Sequence, residues 1–208
     1  MSLRRIEDTR ELLCALLRAF HGRGWVSGTG GGICGPAGDD ELWIAPTGVH
    51  KELVEPGDFF RMTIGTGEIL DAPNGLQPSE CAPIFRAICA ATGARSVVHS
   101  HALSAVLAAD LHNGNILRIA GFEMLKGLGL SNRETLEIPV VSNTEREHEL
   151  TGAVERALAD PRFARTPVIM VADHGAYLWG ADPMEAKKHA EVLHWLFDGR
   201  IARHRYGG

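Results

Sequence analysis

Arg95-Ser96-Val97-Val98-His99-Ser100-His101 reads as a buried β-strand that runs out into two histidines, and Ala102 to Asp110 as the helix it feeds. Residues two apart on a strand face the same side, so the imidazoles of His99 and His101 converge from one strand end. A second apolar run, Val168-Ile169-Met170-Val171, leads to Ala172-Asp173-His174-Gly175 and sets a third histidine at the end of another strand. Three imidazoles suit a borderline cation such as Zn²⁺, bound at roughly 2.0–2.1 Å per nitrogen. They leave a tetrahedral cation one open position, the arrangement of a catalytic centre rather than a structural one. Co²⁺, Mn²⁺ and Fe²⁺ accept the same donors. The plainer alternative is that each histidine simply fills its place in the core.

Outward from these strands, helices and strands alternate loosely. Leu3 to about His21 has the periodicity of an amphipathic helix, with Leu12, Leu13, Leu16, Leu17 and Phe20 on one stripe. Asp8 and Glu11 have the spacing of a capping box, which starts the regular part there. Short strands are expected around 42–45 and 59–64, and a loop through Asp71-Ala72-Pro73-Asn74-Gly75 leads to Ser79 as N-cap of a helix reaching about Thr92. Residues 136–142 read as a strand and 146–159 as a helix, followed by strands at 168–173 and 176–179. Asp182-Pro183-Met184-Glu185 combines an N-cap, a proline at the first position and an acid at the third, and opens a helix to about His204. No linker or repeat divides the pattern. One α/β domain over 1–208 is expected, a mixed sheet covered by helices on both faces.

The composition narrows the function classes. With 208 residues, 45% hydrophobic and 23% charged, the chain has the balance of a globular protein. A net charge of −5 without a basic block argues against nucleic acid or an anionic membrane as partner. No stretch approaches the ~20 apolar residues of a membrane span, and the start, Met1 to Asp8, is not that of a signal peptide. Cys14, Cys34, Cys81 and Cys89 show no C-x-x-C spacing and are expected as reduced thiols in a cytoplasmic enzyme.

The loops suggest a phosphorylated substrate. Gly28-Thr29-Gly30-Gly31-Gly32 offers successive unobstructed backbone N–H groups, as a phosphate nest requires, and matches neither nucleotide fingerprint. A flexible turn is the alternative. Thr47-Gly48 and Ser79 are further small donors after a strand and at a helix start. Two acids are candidates for proton chemistry. Glu80 sits in the first turn of the helix begun by Ser79, where a carboxylate is also a good dipole partner. Glu123 lies in the apolar segment Gly121-Phe122-Glu123-Met124-Leu125-Lys126-Gly127, or faces solvent on a short helix. Lys51 and Lys126 either reach the phosphate or are solvated.

Taken together, residues 24–32, Ile44-Ala45-Pro46-Thr47-Gly48-Val49-His50-Lys51-Glu52, the His99/His101 pair, Glu123-Met124-Leu125-Lys126-Gly127 and Asp173-His174-Gly175 resemble the class II sugar-phosphate aldolase superfamily over nearly the whole chain. Within it they are most similar to the branch that dehydrates methylthioribulose 1-phosphate in methionine salvage. The resemblance implies a three-layer α/β/α sandwich with a mixed, largely antiparallel sheet. It implies one Zn²⁺ per subunit on His99, His101 and His174, and a homotetramer with sites near subunit boundaries. Glu123 matches the acid/base position of the dehydratases. Gly30, Gly31, Thr47, Gly48 and Ser79 fall where the superfamily binds phosphate, and Cys81 where some dehydratases approach the substrate. There are two departures: Gly32 stands where aldolases often carry asparagine, and Glu80 stands where they place their acid. Fuculose- or rhamnulose-phosphate-type aldolase or epimerase chemistry is therefore the alternative, and a non-catalytic metal-dependent sugar-phosphate binder a further one.

Overall fold

A computed structural model describes residues 8–207. Nine strands form one sheet in the order β4-β3-β2-β1-β5-β9-β8-β7-β6. They are β1 (Gly32–Gly38), β2 (Glu41–Ile44), β3 (Phe60–Thr63), β4 (Ile69–Asp71), β5 (Ser96–Ser100), β6 (Ile116–Ala120), β7 (Thr135–Val141), β8 (Val168–Val171) and β9 (Gly175–Gly180). Every neighbouring pair is antiparallel except β7–β8. Among the described residues, five α-helices cover the sheet: α1 (Thr9–His21), α2 (Ala82–Thr92), α3 (Leu103–Ala109), α4 (Thr151–Leu158) and α5 (Pro183–Tyr206).

The alternation of β5 divides the core. Val98 belongs to the cluster under α1, α3 and α5, with Leu13, Leu17, Ala105, Leu193 and Phe197. Val97 points the other way, into the cluster with Ile84, Phe85 and Ile88 of α2 and Val154 of α4. The expected three-layer α/β/α arrangement follows from that alternation. All five residues of β5 are buried, because β1 and β9 flank it and helices cover both faces.

Helices start where the sequence signals them when local chemistry decides. Asp8 accepts from the backbone N–H groups of Arg10 and Glu11, and Asp182 from those of Met184 and Glu185. The expected extension of the first helix back to Leu3 falls on residues 1–7, outside the described residues. Ser79 is not the cap of α2: its Oγ accepts from the Cys81 N–H, and the helix starts three residues later with Cys81 in the capping position. The helix expected over 146–159 is a 3₁₀ turn, Glu147–Leu150, running into α4. β1, β4 and β6 are strands that the periodicity did not announce. In β1 the sequence Gly-Ile-Cys-Gly-Pro-Ala-Gly carries turn formers in a central strand, and the register slips between Pro36 and Gly38.

His194 on α5 shows what burial does to a titratable group here. It is 2% exposed, stacks on Trp25 with ring centroids 4.1 Å apart, and its Nδ1 lies 3.3 Å from Ser104 Oγ. Burial, helped by the Arg23 charge, pushes its pKa down to about 3. The folded chain thus refuses a proton that the unfolded chain takes up below about 6.5, so stability is full above that pH and falls as pH drops from 6.5 toward 3. From pH 7.5 to 5.5 this one group removes about 1.4 kcal/mol. Urea unfolding of the wild type and of His194→Gln at both pH values should give a dependence shallower by that amount in the variant; equal slopes would show that His194 does not titrate this way.

Candidate metal centre and its surroundings

The three sequence-predicted histidines meet. Nε2 of His99 lies 2.8 Å from Nε2 of His101 and 3.1 Å from Nε2 of His174, and the last two are 3.1 Å apart. Nitrogens at about 2.0–2.1 Å from a tetrahedral cation stand roughly 3.3 Å from one another, so the cluster is near the spacing a bound ion imposes. β5 carries His99 to the sheet end. The register Ser100↔Ala176 then fixes the turn between β8 and β9 above it. In that turn Asp173 adopts φ 55°, and Gly175 at φ 153° lies so close to β5 that a Cβ there would overlap the Ser100 carbonyl oxygen. That close approach delivers His174 to the other two.

The outer nitrogens determine the tautomers. Nδ1 of His99 donates to the Ala176 carbonyl at 3.2 Å, and Nδ1 of His174 donates to Asn143 Oδ1 at 3.1 Å. With their protons outward, both Nε2 lone pairs point inward at each other. Such a constellation is repulsive unless a positive charge sits among the nitrogens, and outward donation to carbonyl or amide oxygen is how metal-ligating histidines are oriented. Burial and the two neighbouring imidazoles push His101 down to about 3, so it is neutral at pH 7 and available as a donor. The residues fit a divalent cation.

A carboxylate that sequence reading did not single out shares this centre. Glu147 Oε1 lies 2.8 Å from Nε2 of His99 and 3.8 Å from Nε2 of His174, and Tyr177 donates its hydroxyl to the same oxygen. Burial alone would raise the Glu147 carboxyl, but its contact with His99 and the hydrogen bonds from Tyr177 and Cys81 outweigh it and hold it well below the usual range. Tyr177 is fully buried, stacked on His99 with centroids 4.1 Å apart and edge-on to Phe85. Cys81, expected near the substrate, is buried beside Glu147; burial first, and then the Glu147 charge, keeps its thiol protonated.

The predicted anion-binding segments also come together. A Cβ on Gly30 would stand 2.6 Å from His101 Nδ1, and one on Gly31, at φ 71°, 2.7 Å from the His99 carbonyl oxygen. The glycines let the loop lie directly on the histidine strand. Lys51 is 1% exposed, and its ammonium donates to the carbonyls of Thr29 at 2.8 Å and Val49 at 3.0 Å. It ties the glycine loop to the Thr47-Gly48 loop, which the Thr47 N–H in turn joins to Gln77 at 3.0 Å, just before Ser79. Desolvation lowers the Lys51 pKa, the Glu147 charge opposing it.

The two predicted acids lie elsewhere in the chain. Glu80 is exposed and lines a surface pocket of about 490 Å³ with Arg86, Arg146 and His148. Glu123 opens a 3₁₀ turn, Glu123–Leu128, with its side chain 66% exposed, bonded to Lys126 and, at 2.8 Å, to Asn132. Its hydrogen bond from Lys126 lowers its pKa, so it is ionised at neutral pH. Neither carboxylate meets a histidine of the triad among the described hydrogen bonds and ion pairs.

Comparison with known proteins points the same way. Residues 11–200 match the family described as Class II Aldolase and Adducin N-terminal domain. The chain is 32% identical over 203 residues to the methylthioribulose-1-phosphate dehydratase of Komagataella phaffii, covering 94% of this chain and 83% of that one. It is 35% identical to a Populus trichocarpa protein named probable bifunctional methylthioribulose-1-phosphate dehydratase/enolase-phosphatase E1, over 97% of this chain but 42% of the other. The chain thus spans less than half the length of that bifunctional relative. In structure it is similar to the L-fuculose-1-phosphate aldolase of Thermus thermophilus, with a TM-score of 0.70, 20% identity and 94% of each chain covered.

The close pass of Gly175 over β5 carries a prediction. Gly175→Ala should destabilise the protein by on the order of 3 kcal/mol and lower the Zn²⁺ retained after dialysis well below that of the wild type. Thermal unfolding and metal analysis read both effects. Wild-type values in both would show that His174 does not depend on this approach.

Proposed function

We propose that this chain, which belongs to the class II aldolase and adducin family, is a zinc-dependent hydro-lyase. It removes water from 5-methylthioribulose 1-phosphate to give 2,3-diketo-5-methylthiopentyl 1-phosphate, a step of methionine salvage. The observation that carries this reading is the inward convergence of the His99, His101 and His174 nitrogens under the glycine loop, in a chain 32% identical to a named dehydratase over 94% of its length. One Zn²⁺ per subunit is proposed on those three residues, in a single domain over 1–208 that works as a cytoplasmic homotetramer. Among the described residues, no helix is long and apolar enough to cross a membrane.

The reaction breaks the C3–H and C4–OH bonds and leaves the carbon skeleton intact. A divalent cation at the triad supplies Lewis-acid polarisation of the substrate's C2 carbonyl and C3 hydroxyl oxygens. The protein must do the rest. The glycine loop at Gly30 and Gly31, with Thr47, Gly48 and Ser79, holds the phosphate and orients C3, in a cradle that Lys51 keeps in shape. Cys81 lines the site as a neutral, buried thiol. Glu123 takes the proton from C3 and returns it to the departing C4 hydroxyl, which leaves as water, and the enol then tautomerises to the diketone. Its exposure, and its lack of contact with the triad of its own chain, support a role in the site of a neighbouring subunit. The aldolase alternative needs Glu80 beside C4, and Glu80 is exposed in a surface pocket that it shares with Ser79.

Zinc-loaded protein given methylthioribulose 1-phosphate should yield a product lighter by one water and still a single phosphate ester, seen by mass spectrometry and phosphorus NMR. Cleavage to dihydroxyacetone phosphate would replace this reading with the aldolase. Glu123→Gln and His101→Ala should each lower turnover by at least ~10³-fold, the contribution of a general base or of the metal. Mixing the two inactive variants under subunit exchange should restore activity in hybrid oligomers. Absence of restoration would place Glu123 within its own subunit or outside the chemistry.

A further inference from the structure

We infer that the cavity walled by Ser79, Arg86, Arg146 and His148 is a binding site for a phosphate group, with Arg146 as the cation that meets it. Where the group is the substrate's own phosphate, the inference deepens the reading above and rests on it. A free phosphate anion is the other source.

The segments expected to hold phosphate meet at Ser79. A Cβ on Gly32, at the end of the glycine loop, would stand 3.8 Å from Ser79 Oγ, and the Thr47 N–H reaches the Gln77 carbonyl at 3.0 Å. Those loops bring little free positive charge of their own. The Gly30 N–H is spent on the Ser27 carbonyl at 3.2 Å. Lys51, 1% exposed, is spent on the carbonyls of Thr29 and Val49, so no phosphate oxygen reaches its ammonium. Ser79 is itself 7% exposed, and its Oγ accepts from the Cys81 N–H at 3.2 Å. Its own proton meets only the Cys81 sulfur, a weak acceptor, and is available to a better one in the cavity.

Positive charge comes from the cavity instead. Arg86 is fixed there: its Nε donates to the Ile64 carbonyl at 2.8 Å and its Nη2 to the Gly65 carbonyl at 2.7 Å. Gly67, at φ 75°, makes room for it, since a Cβ there would overlap Nη1. Arg146 is exposed, and its described hydrogen bonds run through its backbone, from its N–H to Glu149 at 3.4 Å and to its carbonyl from the Thr144 hydroxyl at 2.9 Å. That leaves its guanidinium to a ligand, and a planar fork of N–H donors matches phosphate oxygens. Glu80, exposed on the same wall, opposes an anion, and the two guanidiniums outweigh it. At about 490 Å³ the cavity has room for a small phosphate ester. Its walls also continue into the histidine centre. Arg146 and His148 flank Glu147, whose Oε1 is 2.8 Å from His99 Nε2, and Ser79 is bonded to Cys81, whose sulfur lies within 4.8 Å of both. A phosphate held here stands beside the chemistry.

Inorganic phosphate is the probe, and titration calorimetry reads its affinity for the purified protein. Arg146→Ala should weaken binding about 10-fold or more, the loss of a charge-assisted hydrogen bond, and Ser79→Ala should weaken it in the same direction. Glu80→Gln, which removes the opposing charge, should tighten binding by about 2-fold. Arg146 lies on the surface, so the fold survives its loss. Arg146→Ala also keeps every histidine, so phosphate held at the triad would bind it as it binds the wild type. Steady-state kinetics with methylthioribulose 1-phosphate identify the source. If the site takes the substrate's own phosphate, Arg146→Ala raises KM by a similar factor with kcat nearly unchanged, and inorganic phosphate competes with substrate. If it takes a free anion, KM is unchanged in the variant and inorganic phosphate alters the kcat of the wild type. Either pattern supports the site. A phosphate affinity in Arg146→Ala equal to that of the wild type, or a wild type that binds no phosphate even at millimolar concentration, would overturn it. A wild type that binds phosphate through Arg146 and does not dehydrate the substrate would overturn the proposed reaction and leave the site standing.

Discussion

The structure turns on an electrostatic demand, the facing lone pairs of His99, His101 and His174, which are tolerable only with a positive charge among them. Much of what fixes those nitrogens is backbone. The Ala176 carbonyl sets the tautomer of His99, and the Trp25 carbonyl accepts from the His101 N–H at 2.8 Å. The β5–β9 register places the turn that carries His174. A site built from main-chain contacts has little freedom to relax. That is the physical meaning of preorganisation: the cost of gathering the donors is met by the hydrogen bonds of the sheet, before any ion arrives.

A second constraint is the ammonium of Lys51. Burying a cation is costly unless it is hydrogen-bonded, and here it is held by two carbonyls from two different loops. The charge clamps the glycine loop to the Thr47-Gly48 loop. It also sits near Glu147, whose charge opposes its loss of hydration. Cation and carboxylate thus share one buried polar region around the histidine cluster, and each lowers the cost of burying the other.

Much of this was legible in the residues. β5 and β8 read as strands because short apolar runs lead into their histidines, and His99 and His101 converged because the side-chain period of a strand is two. Asp8 and Asp182 announced α1 and α5 through capping chemistry that needs no tertiary context. β1 was hidden because a strand flanked on both sides by other strands, and covered by Leu13 and Thr9 against Gly35, can use glycines that look like turn residues. Glu147 was hidden for another reason. Glu145-Arg146-Glu147-His148-Glu149 has the look of a solvated helix face, and only the 3₁₀ geometry turns one of its acids inward. Lys51 gave no sign either, since nothing local tells a buried lysine from a solvated one. Glu123 and Glu80 were visible as unusual acids, but a single chain brings neither to the triad.

The register of β5 also dictates when the site can exist. Its neighbours in the sheet come from either side in sequence, β1 at His99↔Gly32 and β9 at His99↔Tyr177. Closing the second pairing means closing a long loop, an entropic cost that grows slowly with length but must be met before any contact offsets it. On a ribosome the first two histidines emerge well ahead of His174, Tyr177 and the turn that sets them. Until then β5 has an open edge, and its imidazoles have neither their third partner nor the carbonyl that orients His99. On the proposed zinc reading, metal capture is therefore a late event in the life of each molecule, coupled to completion of the sheet's centre. An ion arriving early finds two loose histidines, and one arriving late finds a formed trap.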